Sequence, residues 1–421
     1  MKRVASKSAR DKHVIQAAVW RFGPLSRVEI HNLTNLRPNT ISTLVRELLD
    51  EGCLVEAGPS DNPMGRKQIL LRLNHENTFV AAVELDDEMV SASTLDLVPS
   101  IKTSVRQASN LNAGIDGLVS QLLSTTRQAV EQAGVPQGTL MGIGIADPGL
   151  VNTRDGVVLT SSTIDFWKQV PLKDIFESEF HVPVLLEDKT RARATAERIL
   201  GAGQGAKDMI FVDYGRGIGA GIIVDGKPLR GHRWAAGEFG HTHVSEDITA
   251  CPCGSFGCLE AMAGALALEL RIRKAISEGS SPQYLQTPDG EASGVSAWQV
   301  LRAASQGDKT CSAIVEQAGN YLGLGLANLV NLFNPSMIVL DRRLAQAGQA
   351  LLDQIVRIVK RQALSHCTED LDIRFAELDQ DAGVLGVALM LLERHFEIPA
   401  LKPPAFMTEP MVKPSRKTAA A

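Results

Sequence analysis

One histidine and three cysteines have the spacing of a metal site. They follow the pattern H-x9-C-x-C-x4-C and are His241, Cys251, Cys253 and Cys258. Thiolates and an imidazole nitrogen can together complete a tetrahedral shell around Zn²⁺. A reactive dithiol and a chance grouping in a loop are the alternatives, but the chain has only three other cysteines, which favours zinc. Because four protein ligands leave no open coordination position, the pattern predicts one structural zinc per chain.

The composition is that of a globular protein with more than one domain. Hydrophobic residues make up 44% of the chain and charged residues 22%, which argues against wholesale disorder. At roughly 150 residues per domain, the 421 residues predict two or three domains. No apolar run approaches the ~20 residues that span a bilayer, and no signal peptide follows the basic start. Six cysteines are too few for a disulfide framework, so we predict a cytoplasmic protein that does not contact membranes.

The net charge of −5 conceals a basic N-terminal part. Residues 1–75 carry 12 Lys and Arg against 7 Asp and Glu, a balance of +5. The remainder carries 31 against 41, a balance of −10. A basic segment attached to an acidic body is typical of a segment that contacts a polyanion such as nucleic acid, although it can also be a solvated surface.

The basic part has the predicted elements of a winged helix-turn-helix. Apolar residues at helical spacing predict a first helix over 11–22, and Ser26 and Glu29 form a capping box that opens a second helix. A third helix is predicted over 39–51, with a proline in its first turn. Two short strands around a turn at 58–65 predict a wing.

The third helix and the wing carry the candidate DNA contacts. These are Asn39, Thr40, Ser42, Thr43 and Arg46 on the helix, and Arg66 and Lys67 on the wing. In helix-turn-helix proteins the second helix of the motif enters the major groove. A small protein-interaction domain would show the same polar face, but the order of capping box, turn, helix and basic wing favours double-stranded DNA. We therefore predict a DNA-binding domain over residues 1–76.

Beyond this domain, strands alternate with helices. Strands are predicted over 79–85, 89–97, 140–146, 184–186, 209–212, 219–224 and 337–340, and helices over 118–133 and 190–200. This order predicts an α/β body of two lobes over residues 77–401. Four prolines and a terminal run of alanines predict a disordered tail over residues 402–421.

Several motifs of the body resemble those of the ROK family, which comprises repressors, open reading frames and sugar kinases. The motifs are Gly237-Glu238-Phe239-Gly240-His241, the cysteine segment 251–260, the glycine-rich segment 142–149, the segment 167–172 and the segment 326–335. The resemblance extends from about residue 14 to residue 391. It implies a two-lobed, actin-like and hexokinase-like fold with a sugar cleft between the lobes. A winged helix in front of this body distinguishes the family's repressors, among them the xylose and N-acetylglucosamine repressors, from its kinases.

The resemblance also implies which residues contact the sugar. The matching positions are Gly149, Asp188, Glu238, His241 and Glu260. In the family's kinases the residue that matches Asp188 is the base that deprotonates the sugar hydroxyl. His241 would bind zinc through one ring nitrogen and the sugar through the other. The family usually has Asn before this Asp, where the chain has Glu187, and we expect Glu187 to join a carboxylate group balanced only by zinc.

Two of the family's three nucleotide-binding motifs are altered in this chain. The first phosphate loop, D-x-G-G-T in the family, is here Glu84-Leu85-Asp86-Asp87-Glu88, and a later Gly-Gly is replaced by Asp341-Arg342. Carboxylates would then face the position of the phosphates and repel them. The glycine loop 215–221 is retained, but alone it is a weak signal. We therefore expect no kinase activity and no catalytic residue.

Together these features predict a sugar-responsive transcriptional repressor of carbohydrate uptake or catabolism genes. A homodimer or homotetramer would bind a palindromic operator, and an unphosphorylated sugar would release it. Three alternatives remain open at this point. Repression could be controlled by a protein partner, such as a sugar-transport component; the body could be an active kinase with a DNA-binding head; or the protein could be an activator.

Overall fold

The N-terminal residues of the computed structural model form three helices and a small antiparallel sheet. The elements are α1 (Lys7–Phe22), β1 (Leu25–Ser26), α2 (Arg27–Thr34), α3 (Pro38–Asp50), β2 (Leu54–Pro59) and β3 (Ile69–Leu73), with the sheet order β1-β3-β2. The structure describes residues 6–60, 67–136, 138–285 and 294–397. The predicted wing tip with Arg66 and the predicted tail over 402–421 lie outside the described residues.

Capping interactions fix the ends of the N-terminal helices. The Oγ of Ser26 accepts from the Glu29 amide at 3.3 Å while the Glu29 carboxylate accepts from the Ser26 amide at 2.7 Å, so the predicted capping box is confirmed. Helix α2 ends at Asn35, whose φ of +56° lies in the left-handed region. Helix α1 begins earlier than predicted, because Ser6 caps a largely polar first turn that the apolar periodicity does not reveal.

The first lobe of the body is built on a mixed five-stranded sheet. Its elements are β4 (Phe79–Leu85), β5 (Met89–Asp96), β6 (Ile101–Ala108), α4 (Gly114–Gln132), β7 (Leu140–Asp147), β8 (Leu150–Asn152), β9 (Val157–Thr160), α5 (Leu172–Phe180) and β10 (Val184–Asp188). The sheet order is β10-β7-β4-β5-β6, in which β4, β7 and β10 are parallel and β5 and β6 are antiparallel to their neighbours. Helices α4 and α5 cover one face of this sheet.

The second lobe repeats this topology. Its elements are α6 (Lys189–Leu200), β11 (Met209–Tyr214), β12 (Ile218–Val224), β13 (Lys227–Pro228), α7 (Leu259–Ala263), α8 (Ala265–Ser277), α9 (Ala297–Ser305), α10 (Lys309–Phe333), β14 (Met337–Leu340), α11 (Gln349–Gln362), β15 (Asp372–Phe375) and α12 (Ala382–His395). The sheet order is β13-β12-β11-β14-β15, again an antiparallel meander followed by parallel strands. The predicted α/β body of two lobes is therefore confirmed, and the repetition of one sheet topology in both lobes is a finding of the structure.

Helices α6 and α12 lie between the two sheets. Helix α12 packs on β4 and β7 of the first lobe, and α6 packs on β11 and β12 of the second. The two helices pack closely on each other at Gly386, where a Cβ would lie 1.8 Å from the carbonyl oxygen of Ala192. None of the helices within the described ranges combines the length and the hydropathy of a membrane span.

The N-terminal elements rest on the end of α12. The Trp20 indole stacks on Phe396 at 5.0 Å between centroids, and its N–H donates to the carbonyl of Leu97 at 3.1 Å. The apolar core of the N-terminal helices is continuous with that of α12 and β4. The predicted domain boundaries at residues 76 and 401 stay predictions.

Candidate functional site

A cleft opens between the lobes at the carboxyl ends of their parallel strands. Its lining comes from the turns after β4 and β7, from the junction of β10 with α6, from the turns after β11 and β14, and from residues 236–241. Its polar residues are Asp86, Asp87, Ser162, Thr163, Asp188, Lys189, Thr190, Asp213, Arg216, Glu238, His241, Glu260 and Arg343. Mixed α/β sheets generally bind ligands at this edge.

A cluster of four metal-ligand side chains lies beside the cleft. The residues are His241, Cys251, Cys253 and Cys258, and one donor atom from each lies within 4.8 Å of the others. The Cys251 Sγ lies 3.6 Å from His241 Nδ1, and the Cys253 Sγ lies 3.7 Å from the Cys258 Sγ. Three sulfur donors and one imidazole nitrogen at this spacing could hold a metal ion that prefers tetrahedral coordination by soft ligands.

The His241 ring joins this cluster to the cleft. Its Nδ1 faces the Cys251 sulfur, whereas its Nε2 lies 3.9 Å from Oε2 of Glu238. Both His241 and Glu238 line the cleft. One ring nitrogen is therefore directed to the sulfur atoms, and the other lies on the side of Glu238 and the cleft.

Three of the predicted sugar-contacting carboxylates line the cleft. Asp188 ends β10, and its Oδ1 accepts from the amide of Arg191 at 2.8 Å, which caps α6. Glu260 in α7 accepts from the amide of Ile218 at 3.1 Å, and Glu238 directly precedes the short 3₁₀ turn that carries His241. Burial raises the pKa of Asp188 and of Glu260. Poorly solvated carboxylates of this kind are well suited to accept hydrogen bonds from hydroxyl groups.

Gly149, which was predicted to contact the sugar, is buried and is not among the residues that line the cleft. The neighbouring Pro148 lines the cleft at this point. The Gly149 amide donates to Oδ1 of Asp147 at 2.8 Å, and a Cβ at Gly149 would lie 2.6 Å from the Thr160 carbonyl oxygen. The indole N–H of Trp167 donates to the other oxygen of Asp147 at 2.8 Å. Burial raises the pKa of Asp147 to about 6. Sequence reasoning missed Asp147 as the residue that positions this turn, although it lies within the quoted glycine motif.

The structure does not place Glu187 among the residues that line the cleft. Its side chain is fully buried and forms ion pairs with Arg191 at 2.9 Å and with Arg230 at 2.8 Å. Burial opposes its ionisation, but the two guanidinium groups outweigh burial and lower the pKa of Glu187. The expectation of a carboxylate group balanced only by zinc is therefore wrong, because two arginines neutralise this member of it.

Two carboxylates of the altered phosphate loop, Glu84 and Asp86, are paired with cations. The ion pairs join Lys189 to Asp86 (2.9 Å) and Asp213 (3.3 Å), Arg193 to Glu84 (2.7 Å), Asp86 (3.3 Å) and Asp213 (2.8 Å), and Arg343 to Asp213 (3.0 Å) and Asp341 (2.7 Å). We call these seven residues the inter-lobe ion network. Burial opposes ionisation of Asp86, but Lys189 and Arg193 hold its pKa well below the usual value. The expectation of unbalanced negative charge is therefore wrong for Glu84 and Asp86, which belong to a nearly neutralised network.

Asp87 differs from its neighbour Asp86. Its nearest cation is Arg216 at 3.7 Å, and the Arg216 side chain is largely exposed. Burial and the adjacent Asp86 raise the pKa of Asp87 to about 7. Lys189 and Arg193 were not predicted as site residues, because their acidic partners come from distant parts of the chain. Arg343 was also missed, although one of its partners, Asp341, is only two residues away.

The candidate DNA contacts form one face of α3. Asn39, Ser42, Thr43 and Arg46 are exposed and Thr40 is half-buried. The opposite face of the helix packs into the core through Ile41, Leu44, Val45 and Leu48. Lys67 is exposed just before β3, and Arg66 lies outside the described residues. The surface of α3 is therefore open to a partner.

Comparison with known sequences identifies relatives over nearly the whole chain. A sequence profile of the ROK family matches residues 102–394. A xylose repressor of Caldicellulosiruptor bescii is 29% identical over 89% of this chain and 93% of its own length. The DNA-binding transcriptional dual regulator NagC of Escherichia coli is 27% identical over 90% of this chain and 92% of its own length.

Solved structures show the same similarity. A ROK family transcriptional regulator, a homologue of the Escherichia coli MLC protein, matches with a TM-score of 0.78 and 25% identity over 92% of this chain and 96% of its own. A ROK family glucokinase from Streptomyces griseus, in complex with glucose and AMPPNP, matches with a TM-score of 0.66 and 29% identity over 74% of this chain and 98% of its own. The regulator thus covers a larger share of this chain than the glucokinase does.

Proposed function

Because the chain belongs to the ROK family, we propose that it is a sugar-responsive DNA-binding repressor of carbohydrate uptake or catabolism genes. The observation that carries the proposal is the union of two features in one chain. The N-terminal part contains helix α3, which has an exposed polar face. The body that follows it contains a sugar-kinase-like cleft lined by Asp188, Glu238 and Glu260. The relatives that match the chain over about nine-tenths of its length include a xylose repressor, which supports repression rather than catalysis.

The N-terminal part, residues 1–76, would be a winged helix-turn-helix. Helix α2, the turn at Asn35 and helix α3 have the order that such a motif requires, and β2 and β3 would flank the wing. Asn39, Thr40, Ser42 and Thr43 would contact bases, whereas Arg46, Arg66 and Lys67 would contact phosphates or a groove. A palindromic operator requires two such heads related by a two-fold axis, so we propose that the protein acts as a homodimer or homotetramer.

The metal of the four-residue cluster would be a structural zinc. Three thiolates and one imidazole complete a tetrahedral shell, so the ion would have no position left for a substrate. Zinc would fix the loop that leads from His241 to Glu260 and would hold the His241 ring by Nδ1. The chain's own contribution to sugar binding would then come from His241 Nε2 and from the carboxylates of Asp188, Glu238 and Glu260.

The body, residues 77–401, would bind sugar without phosphorylating it. The inter-lobe ion network fills the side of the cleft next to the altered phosphate loop, so its cations are already paired and would not be free to bind the phosphates of a nucleotide. A neutral sugar would fit the carboxylates, whereas a sugar phosphate would be repelled. The sugar would act by binding one state of lobe closure better than the other, and a difference of about 1–3 kcal/mol would give useful control.

An operator-binding titration tests the proposal. Duplexes selected from a random pool would define the bound sequence, and xylose, glucose and N-acetylglucosamine would be added with and without a phosphate group. We expect specific binding to a palindrome that one unphosphorylated sugar weakens. Failure to select any sequence would contradict the DNA-binding function. Specific binding that no sugar alters, or that only a phosphorylated sugar alters, would favour control by a protein partner.

Kinase activity is the second candidate, favoured by the similarity to the glucokinase. Formation of a phosphorylated sugar from ATP would establish it, provided that Asp188→Ala abolishes the product.

A further inference from the structure

We propose that Glu187, Arg191 and Arg230 form a clamp that positions one wall of the ligand cleft and so determines which sugars the cleft accepts. The positioning rests on the geometry alone, and only the selection of sugars rests on the proposed function. The wall is the segment 230–238, which we call the wall segment. It follows β13 in the second lobe, whereas Glu187 lies in β10 of the first.

Glu187 is the anchor of the clamp. Its Oε1 accepts from Arg191 Nε at 2.9 Å, from the Asp188 amide at 3.0 Å and from the Thr153 hydroxyl at 3.2 Å. Its Oε2 accepts from Arg230 Nε at 2.9 Å and pairs with Arg230 Nη2 at 2.8 Å. Five donors occupy a carboxylate with about four lone-pair directions, so it has no capacity left for a sugar hydroxyl. Charge-assisted bonds of this kind are short and directional.

Arg191 extends the clamp to the backbone of the wall segment. Its Nη1 donates to the carbonyl oxygen of Trp234 at 3.1 Å and lies 3.4 Å from that of Ala236. Ala236 and the next two residues, Gly237 and Glu238, line the cleft. The guanidinium of Arg191 thus connects the anchor directly to the stretch that presents Glu238 to a ligand.

The wall segment needs this support because its backbone is unusual. Trp234 has a φ of +59°, a conformation that bulky L-residues rarely adopt without restraint. Gly237 has a φ of +99°, and a Cβ there would lie 2.1 Å from the Ala220 carbonyl oxygen. The Arg154 guanidinium also lies 5.7 Å from the centre of the Trp234 ring. Contacts from the first lobe therefore hold a strained segment of the second.

The clamp would select sugars through spacing. Asp188 follows the anchor directly in the chain, and Glu238 ends the wall segment, so the clamp fixes one carboxylate relative to the other. Two carboxylates discriminate between sugars by the separation of the hydroxyl groups that they accept, and an error of about 1 Å in such a geometry can cost a hundredfold in function. Loss of the clamp should therefore weaken binding of the preferred sugar more than binding of the others.

Three variants distinguish the effect of losing the clamp from the effect of a general loss of stability. Glu187→Gln removes the charge of the anchor, but it leaves Arg191 buried with Nη2 already lacking an acceptor among the described residues, and so it could unfold the chain. Arg230→Ala is the safer variant, because its side chain is 38% exposed. Arg233→Ala is the matched control, since Arg233 is an exposed arginine of the same segment with no ion pair in the described part of the chain.

Two measurements test the clamp. Hydrogen–deuterium exchange on ligand-free, full-length protein should be roughly tenfold faster in the wall segment of Arg230→Ala and unchanged in Arg233→Ala. In isothermal titration with xylose, glucose and N-acetylglucosamine, Arg230→Ala should bind the sugar preferred by the wild type roughly tenfold to a hundredfold more weakly. The ratio of the affinity for this sugar to the affinity for the other two should become smaller. Arg230→Lys, which keeps the charge, should restore part of both.

The outcomes distinguish this inference from the proposed function. Unchanged exchange in the wall segment of Arg230→Ala would overturn the clamp, whatever the sugars do. Faster exchange in a protein whose wild type binds none of the three sugars would support the positioning role and would overturn the selection of these sugars. Faster exchange together with wild-type affinity and selectivity would show that the clamp holds the segment but does not determine specificity.

Discussion

His241 shows how a single residue can serve two neighbouring groups. Its Nδ1 faces the sulfur of Cys251 and its Nε2 faces Glu238 in the cleft. A metal bound to one nitrogen fixes the orientation and the tautomer of the ring, which defines whether the other nitrogen donates or accepts a hydrogen bond. The metal cluster would thus contribute to ligand binding without contacting the ligand.

Loss of one cluster ligand should release the metal. Cys258→Ala should lower the zinc content from one per chain to well below that value and should lower the melting temperature, because the loop from His241 to Glu260 loses its cross-link. Elemental analysis and thermal denaturation measure the two effects. Cys367→Ala, a half-buried cysteine outside the cluster, is the control and should retain zinc. Wild-type protein without stoichiometric zinc would contradict the assignment.

Removal of a cleft carboxylate should uncouple sugar from DNA. Glu238→Gln or Glu260→Gln should leave operator affinity unchanged but weaken the sugar response at least tenfold, because a hydrogen bond to a charged group contributes about 1.5–3 kcal/mol. The variants would therefore act as super-repressors in the operator-binding titration. Glu246→Gln, an exposed residue of the metal loop, is the control. A normal sugar response in both cleft variants would show that the cleft is not the sensor.

The metal ligands could be predicted from the sequence, whereas the environment of Glu187 could not. The cluster lies mostly within one short loop, so its spacing in the chain reflects its spacing in the structure. Arg230 pairs with Glu187 from 43 residues away and on the other lobe. No local pattern in the sequence reveals such a pair. Without knowledge of its arginine partners, a buried Glu187 would be expected to share a proton with a ligand. The cations that neutralise Asp86 are likewise far from it in the chain, so no local pattern reveals them.

At the scale of secondary structure, amphipathic elements were predictable and the edge strand was not. Helix α3 and strands β4 and β7 follow apolar periodicity and were predicted close to their observed bounds. Strand β6 was missed, because Ile101–Ala108 has only half-buried and exposed positions and a polar sequence. Such a strand is stabilised by its pairing with β5 rather than by its own apolar residues. Tertiary context therefore decides its conformation.

The polar face of α3 should separate into two kinds of contact. Arg46→Ala should weaken binding to all duplexes and should lower the slope of log affinity against log salt concentration by about one unit, because one phosphate contact is lost. Asn39→Ala should instead cost about 1–3 kcal/mol on the operator and little on random DNA. Salt titrations on both duplexes measure the difference. Lys274→Ala on α8 is the control, and equal effects of Arg46→Ala and Lys274→Ala would remove α3 from the interface.

At the scale of the whole molecule, the inter-lobe ion network connects the two sheets. Glu84 and Asp86 belong to the first lobe, Asp213 and Asp341 to the second, and Arg193 on α6 lies between them. Helix α12 packs on α6 and ends against the N-terminal helices. The network, the two central helices and the N-terminal part are therefore in continuous contact.

Removal of the central cation should destabilise the protein strongly. Arg193→Ala would leave Glu84, Asp86 and Asp213 buried with fewer partners, and breaking a buried ion pair from one side costs about 3–5 kcal/mol. Urea unfolding measures the loss. Arg127→Ala removes an arginine from a surface pair with Glu179 and should cost less than about 1 kcal/mol. Similar losses in the two variants would show that the network contributes no more than a surface pair.

The retained glycine loop has a structural role that does not require a nucleotide. A Cβ at Gly219 would lie 2.8 Å from the Thr190 hydroxyl oxygen, and a Cβ at Gly221 would lie 2.4 Å from the Cβ of Ala194. These glycines let β12 approach α6 closely. The packing of β12 on α6 therefore explains Gly219 and Gly221 without a bound nucleotide.

The protein should accordingly show no sugar-dependent ATP hydrolysis above background. Phosphoryl transfer requires backbone amides and unpaired cations around the phosphates. Here Lys189 and Arg343 are already paired with Asp86, Asp213 and Asp341. A coupled assay and mass spectrometry of the products, with the Streptomyces griseus glucokinase as positive control, would measure the activity with glucose, xylose and N-acetylglucosamine. A phosphorylated sugar that disappears in Asp188→Ala would contradict the prediction, because Asp188 would then act as the base and the ion network would have to open for a nucleotide during turnover.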